Sequence, residues 1–372
     1  MQTAPLPSSP VDVTGLNLPE DQRALVFEAA TLPVIDLSGL YSDDPADVAR
    51  VAAELGAAGK GAGFFYIINH GIPQALIDDV YAASKAFHAQ PRDYKMNYYI
   101  GKSTHHQGYA PPEEASSKAK PEKKSYHETY DISFDAPADH PDYLAGYRLT
   151  GPQVFPDLPG FQPAVKTYYE AVYQLGRKML GAFEVFLELP PGELLQHVNT
   201  PTSQLRLLHY VENSAPADAN NMGIGAHSDF ECFTILNVSG PGLQVMNAED
   251  YWVAAPPLPG TFIVNIGDCL EAWSGGLLKS TQHRVINTGR ERFSLPLFFG
   301  TDYHTVVQPV GKYATEAAFE KYKPFVSGEH LLGQTIGGFR YLQDLVDDGK
   351  LKPTFSVPDS NPFEREAKKI AV

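Results

Sequence analysis

The chain is poor in cysteine, in basic residues and in long apolar runs, and each shortage removes a class of protein. Two cysteines, Cys232 and Cys269, in 372 residues make no disulfide framework, so a reducing, cytoplasmic compartment is expected. Lys plus Arg number 29 against 44 Asp plus Glu, a formal charge of −15. Nucleic acid and anionic membranes both ask for a basic surface, so neither is expected as a partner. The densest basic stretch, Lys118 to Lys124, is interrupted by Glu122 and reads as a solvated loop. There is no apolar run of the roughly eighteen residues that a membrane-spanning helix needs. The first nineteen residues, Met1 to Pro19, are proline-rich and lack the apolar stretch of a secretory signal. Phosphate loops are missing too: Gly59-Lys60 has neither the Walker spacing nor a following Ser or Thr, and Gly223-x-Gly225 lacks a third glycine.

What remains is an ordinary globular composition, 43% hydrophobic, in a chain long enough for one large or two smaller domains. Helical spacing of apolar residues predicts helices over Asp44 to Gly59, Pro73 to His88 and Pro163 to Leu189. Val34 to Leu37 and Phe64 to Asn69 read as apolar strands. Residues 90 to 155 are polar, tyrosine-rich and irregular. From Leu205 to about Thr305 short apolar segments alternate with Gly, Pro, Asn and Asp, a rhythm that predicts a sandwich or barrel. Short helices are expected at Glu20 to Ala30 and Glu316 to Tyr322, and a longer one at Ser327 to Asp347. The resulting division is an extension (1–30), a helix-and-strand region carrying substrate loops (31–155), a core with its scaffold helix and C-terminal helix (156–347) and a tail (348–372).

Chemistry concentrates between Gly225 and Phe299. In His227-Ser228-Asp229 a strand would put the imidazole and the carboxylate on one face. Two ligands do not hold a transition metal against water, and a third is offered by His283 in Leu277 to Ile286, a stretch that ends in β-branched residues and reads as another strand. Two histidines and one carboxylate leave about three positions open, the facial arrangement of non-haem iron(II) oxygenases; zinc on the same ligands is the chemical rival. Arg292 and Ser294 share a face by the same alternation and run into Leu295-Pro296-Leu297-Phe298-Phe299. A buried guanidinium needs an anion, and its planar fork suits a carboxylate; a structural pair with a protein acid is the other reading. His70 and His88 lie far from these motifs and read as structural. His127-Glu128 lacks the second histidine of a zincin helix.

The ordered set His227-x-Asp229, fifty-three residues, His283, Arg292-x-Ser294 resembles the iron(II)/2-oxoglutarate dioxygenases, in particular the isopenicillin N synthase-like branch. Leu205 to Tyr210, Val264 to Asp268, Trp273 to Gly276 and Glu291 to Phe299 match that branch around the motifs. Leu32 to Leu37 and Gly63 to Ile72 match its N-terminal region. The likeness spans about residues 30 to 345. It implies a mainly β, α+β fold: a double-stranded β-helix (jelly roll, cupin-like) flanked by N-terminal and C-terminal helices. It implies Fe(II) on His227, Asp229 and His283. 2-Oxoglutarate would be held at the metal by its C1 carboxylate and 2-keto oxygen, with its distal carboxylate at Arg292 and Ser294 and a contribution from the Tyr210 hydroxyl. Dioxygen and 2-oxoglutarate would be consumed, giving succinate, carbon dioxide and a hydroxylated, desaturated or cyclised small molecule. Where the branch often has Asn-Tyr-x-Pro, this chain has Leu208-His209-Tyr210-Val211, so no asparagine contact is carried over. The likeness places the 90–155 loops over the barrel mouth, where Tyr109, Tyr126 or Tyr130 is expected to line the substrate pocket or else to pack between helices and barrel. Phe230, Trp273, Phe298 and Phe299 are expected as apolar walls or as core. An oxidase that dispenses with 2-oxoglutarate, an idle jelly-roll binding protein and a zinc hydrolase are the rival readings. A monomer or weak homo-oligomer is expected.

Overall fold

A computed structural model describes residues 22–25, 32–114, 125–215, 221–353 and 363. Of the helix expected near Glu20 to Ala30 only residues 22–25 are described, and there Leu25 pairs instead as an isolated bridge with Val253; the lysine-rich loop and most of the tail lie outside the described residues. The chain opens with β1 (Val34–Asp36), α1 (Pro45–Lys60), β2 (Phe64–Ile68), α2 (Gln74–His88) and the one-turn α3 (Arg92–Lys95). Next come β3 (Gly108–Ala110), β4 (His127–Ser133), α4 (Pro141–Leu144) and the long α5 (Phe161–Phe186). The barrel strands are β5 (Gln204–Tyr210), β6 (Ile224–His227), β7 (Phe233–Val238), β8 (Leu243–Met246), β9 (Trp252–Ala254) and β10 (Phe262–Ile266). After α6 (Asp268–Trp273) they continue with β11 (His283–Val285) and β12 (Arg292–Phe299). The C-terminal part is β13 (Val306–Val307), α7 (Glu316–Lys321), β14 (Phe325–Val326), α8 (Ser327–Gly338) and α9 (Arg340–Asp347).

Two sheets face one another. The larger has eight strands in the order β1-β2-β10-β7-β12-β5-β4-β3, the smaller four in the order β6-β11-β8-β9. Except for the parallel β1–β2 pair, both are antiparallel. The central strands form the jelly roll, and the N-terminal segment extends its larger sheet at both edges. Leu208, Leu236 and Ile263 from the large sheet meet Leu243, Val245 and Val285 from the small one. The outer face of the large sheet is covered by α1, α2 and α5, whose apolar stripes form a second, larger cluster with it. Val165, Tyr168, Tyr169, Val172, Leu175, Met179 and Phe183 of α5 are all buried, as their helical spacing requires. The close fit leaves no room for a side chain at Gly176, where a Cβ would run into the Phe299 ring.

Three stretches differ from the sequence expectation. Residues 127–133 form a fully buried seven-residue strand rather than irregular chain. Its polar composition hides it, because the polar groups are paired internally. Glu128 takes the Lys95 ammonium at 2.7 Å and His209 Nδ1 at 3.0 Å, and Asp131 takes Arg206. The helix expected over Ser327 to Asp347 is interrupted after Gly337-Gly338, where Phe339 adopts an extended conformation and turns inward. Of the strand expected before Ile286, only His283–Val285 is paired.

The Glu128 network carries an acid dependence. Burial acts to raise its carboxyl, but His209, Lys95 and Tyr109 donate to it and hold it down at about 2, below an ordinary 4.5. A depressed folded-state value gives stability that is complete above about pH 4.5 and is lost as pH falls toward 2. Glu128→Gln is therefore expected to lower the melting temperature near neutral pH and to flatten its fall over that acid window. A pH series of thermal melts on both proteins checks this, and parallel acid limbs would contradict it.

Candidate metal centre

Two strands of the smaller sheet bring the histidines together. In the antiparallel β6–β11 pair His227 stands directly opposite His283, and their ring centroids are 4.2 Å apart. The strand ends at His227, so Asp229 does not share its face by alternation. It sits in the turn that follows, where the Asp229 carbonyl accepts the Asp268 amide at 2.9 Å and the Glu231 carbonyl accepts the Cys269 amide at 3.1 Å. Gly267 permits this approach, because a Cβ there would press on both carbonyls. Asp229 Oδ1 then lies 3.6 Å from Nε2 of each histidine. The three donor atoms fall within 4.8 Å of one another, a grouping that could hold a metal ion.

Each donor is aimed by a partner behind it. His227 Nδ1 donates to the Gly225 carbonyl at 2.8 Å and His283 Nδ1 to the Thr281 carbonyl at 3.4 Å. Both rings thereby present an Nε2 lone pair toward the carboxylate. Asp229 Oδ2 is occupied by the Asn265 amide at 2.7 Å and by the Thr234 hydroxyl, which leaves Oδ1 for an ion. Burial acts to raise the Asp229 carboxyl, yet the two imidazoles and these two donors hold it below its ordinary value. Two neutral imidazoles and one carboxylate suit Fe(II) or Zn(II).

The donors open into a cavity of about 380 Å³. At one end β5 and β12 pair Tyr210 opposite Arg292 and Leu208 opposite Ser294. Arg292, Ser294 and Tyr210 all face the cavity, with the guanidinium 4.6 Å over the Tyr210 ring. Nε of Arg292 donates to the Gly240 carbonyl at 3.0 Å, whereas its Nη1 is buried without a partner among the described residues. An orphaned guanidinium N–H beside a hydroxyl calls for an anion. The residues present thus fit a carboxylate-bearing co-substrate next to a metal.

Of the aromatic residues expected as pocket walls, Phe230 and Phe298 line the cavity and five others do not. Phe299 is one residue out of phase with Phe298, so it faces α5 and stacks on Phe233 at 4.8 Å. Trp273 is buried in the helix-side core. Tyr130 and Tyr109 pack on Phe87 at 4.7 and 5.9 Å, and their hydroxyls donate to the Val154 carbonyl and to Glu128. Tyr126 turns aside to donate to Asn221 at 2.9 Å. These corrections share one cause: an aromatic ring in a polar segment is as well used to seal helices against a sheet as to meet a ligand. Sequence reasoning passed over His127, Arg206, Glu231 and Phe339, all of which line the cavity. Arg206 lies on the same strand face as Tyr210, and period-two counting from Tyr210 would have found it. Burial and the neighbouring Asp229 push the Glu231 carboxyl up to about 8.

Residues 201–301 match the model of the 2OG-Fe(II) oxygenase superfamily, and residues 32–158 that of the non-haem dioxygenase in morphine synthesis N-terminal region. A 2-oxoglutarate-Fe(II) type oxidoreductase, ppzC, of Metarhizium rileyi is 35% identical over 336 residues, 85% of this chain and 88% of that protein. The chain belongs to the 2OG-Fe(II) oxygenase superfamily. Another superfamily member, a Glycine max protein named homoarginine-6-hydroxylase, is 32% identical over 85% of this chain and 99% of its own. A solved 2OG-Fe(II) oxygenase family protein from Caulobacter crescentus superposes with a TM-score of 0.70 at 29% identity, covering 82% of this chain and 98% of that one. A full-length Neurospora crassa protein in complex with alpha-KG and thymine has the same fold, with a TM-score of 0.69 at 23% identity over 85% of this chain and 98% of its own. The superfamily oxygenase described here is therefore an oxidoreductase whose cofactors are Fe(II) and 2-oxoglutarate. No helix among its described residues is long and apolar enough to cross a membrane.

Proposed function

We propose that His227, Asp229 and His283 hold the iron(II), that Arg292, Ser294 and Tyr210 receive the distal carboxylate of 2-oxoglutarate, and that a C–H bond of a small molecule in the adjoining space is hydroxylated. The observation that carries this reading is the buried, unpartnered Nη1 of Arg292 in the cavity that also holds the three metal donors. Bound iron(II) supplies oxidative decarboxylation of 2-oxoglutarate and dioxygen activation. The protein's share is to fix the donors, to orient the co-substrate between the metal and the clamp, and to keep water away with apolar walls such as Phe230 and Phe298. The homoarginine-6-hydroxylase relative puts amino acids first among substrates to be tried. A net charge of −15 supports a small molecule over nucleic acid or an anionic membrane, and two buried free cysteines fit a reducing compartment.

The test is anaerobic loading with Fe(II), addition of 2-oxoglutarate, a panel of candidate small-molecule substrates beginning with amino acids, and air, and measurement of succinate, hydroxylated product and oxygen uptake. Formation of one succinate per dioxygen, dependent on both iron and 2-oxoglutarate, is expected. Oxygen uptake that proceeds equally without 2-oxoglutarate, or activity sustained by zinc alone, would overturn the reading.

A further inference from the structure

The cavity extends beyond the space that a metal and 2-oxoglutarate would fill. Along β5 the residues Tyr210, Leu208, Arg206 and Gln204 all line it. Each step of two residues advances about 6.6 Å, so Arg206 stands roughly 13 Å along the strand from Tyr210. The Arg206 guanidinium therefore serves a different partner from the one held at Arg292. Beside it lie Phe298 and Phe339, whose rings sit 5.4 and 5.6 Å from the guanidinium carbon.

Two groups at this end have hydrogen-bonding capacity to spare. Arg206 directs Nε and Nη2 to Asp131 at 2.8 to 3.1 Å, and Nη2 also meets Gln204 Oε1 at 3.3 Å. Its Nη1 donates to nothing among the described residues. Glu231 is 5% exposed and accepts the Phe230 amide at 3.1 Å. No Lys, Arg or His forms an ion pair with it among the described residues. Gln334 also lines the cavity, and its amide Nε2 is buried without a partner among the described residues. Arg206 Nη1 thus lacks an acceptor, and Glu231 lacks a cationic partner, among the described residues. A ligand offering only one kind of group would leave the other side desolvated and unpaired.

We propose that this end of the cavity recognises the head group of an α-amino acid, with the substrate carboxylate at Arg206 Nη1 and the substrate amino group at Glu231. This rests on the 2-oxoglutarate oxygenase reading and narrows its substrate class. Arg206 is positioned for the task by Asp131, which fixes the guanidinium plane through two of its three nitrogens. The apolar rings of Phe298 and Phe339 hold that plane from its faces.

The experiment uses the iron(II)- and 2-oxoglutarate-loaded enzyme with the twenty common amino acids and three matched sets. These are L-arginine, agmatine and 5-guanidinopentanoate; L-lysine, cadaverine and 6-aminohexanoate; and L-leucine, 3-methylbutylamine and 4-methylpentanoate. Succinate formation gives turnover, and anaerobic calorimetry gives binding without turnover. At least one amino acid is expected to stimulate succinate formation, with its decarboxylated and deaminated counterparts falling about 100-fold or more in kcat/KM. Glu231→Gln is expected to raise KM for that amino acid at least tenfold while 2-oxoglutarate binding by calorimetry stays within about twofold. Arg206→Lys is expected to act in the same direction, and a melting curve reports whether its pairing with Asp131 survives; if it does not, Glu231→Gln alone decides. A counterpart that works as well as its amino acid, or 2-oxoglutarate binding with no amino acid effective, overturns the proposal. Absence of 2-oxoglutarate binding instead overturns the reading beneath it.

Discussion

Asp229→Ala is expected to lower iron(II) affinity by more than about 100-fold and to bring succinate formation to background. The reason lies in how the three donors are shared. The two imidazoles come from adjacent strands and need only a register to meet, but the carboxylate Oδ1 is the one oxygen placed 3.6 Å from both Nε2 atoms. Without it two neutral imidazoles remain, and a hard divalent ion loses its only anionic protein ligand among them. Even groups that merely orient a metal ligand are worth about 10- to 100-fold in affinity or activity, so the ligand itself sets a larger loss. Asn265→Ala, which removes the 2.7 Å donor to Oδ2, is expected to fall within that smaller range. Anaerobic iron titration of the three proteins, with metal-free melting curves as the folding control, measures the difference. Iron affinity in Asp229→Ala equal to that of the unchanged protein would show that the metal is held elsewhere.

The site was legible to the extent that its residues obey a strand period. Arg292 and Ser294 are two apart on one continuous strand, and the alternation that predicts a shared face is what the fold contains. The same rule applied to His227-x-Asp229 reached the right neighbours for a reason that does not hold. β6 stops at His227, and it is the packing of the following turn on the start of α6 that returns Asp229 to the histidines. No short-range pattern encodes that packing. β4 was missed because Glu128 and Asp131 read as surface residues until their partners Lys95, His209 and Arg206, distant in sequence, are brought beside them. For Tyr109 and Tyr130 the sequence leaves a ligand contact and packing between helices and barrel both open, because tyrosine in a polar segment suits either; the fold takes the second, and both seal α2 against the sheet. Hydrophobic period locates strands and helices; pairing between remote polar residues is what it leaves out.

Arg292→Ala is expected to raise the 2-oxoglutarate Kd by two to three orders of magnitude. The buried guanidinium donates from Nε to the Gly240 carbonyl at 3.0 Å and lies over the Tyr210 ring, while Nη1 has no partner among the described residues, so its desolvation is only partly compensated until a carboxylate arrives. Truncating one member of a buried, hydrogen-bonded charge pair costs about 2–5 kcal/mol, which corresponds to about 30- to 4,000-fold in Kd. Arg292→Lys keeps the charge but loses the fork, and a smaller loss follows. Ser294→Ala removes one hydroxyl, worth about 1.5–3 kcal/mol against a charged acceptor, or about tenfold to somewhat over a hundredfold. Thermal shift separates a binding defect from a folding defect. A ligand held only by the folded state raises stability by RT ln(1 + [L]/Kd), so 2-oxoglutarate at a concentration that stabilises the unchanged protein should leave Arg292→Ala almost unmoved. The ligand-free Arg292→Ala should meanwhile melt close to the parent, because the loss of the Gly240 hydrogen bond and of the contact with Tyr210 is offset by removal of a buried charge. An undiminished 2-oxoglutarate shift in Arg292→Ala would place the co-substrate carboxylate on another cation, and Arg206, further along the same cavity, would be the next to replace.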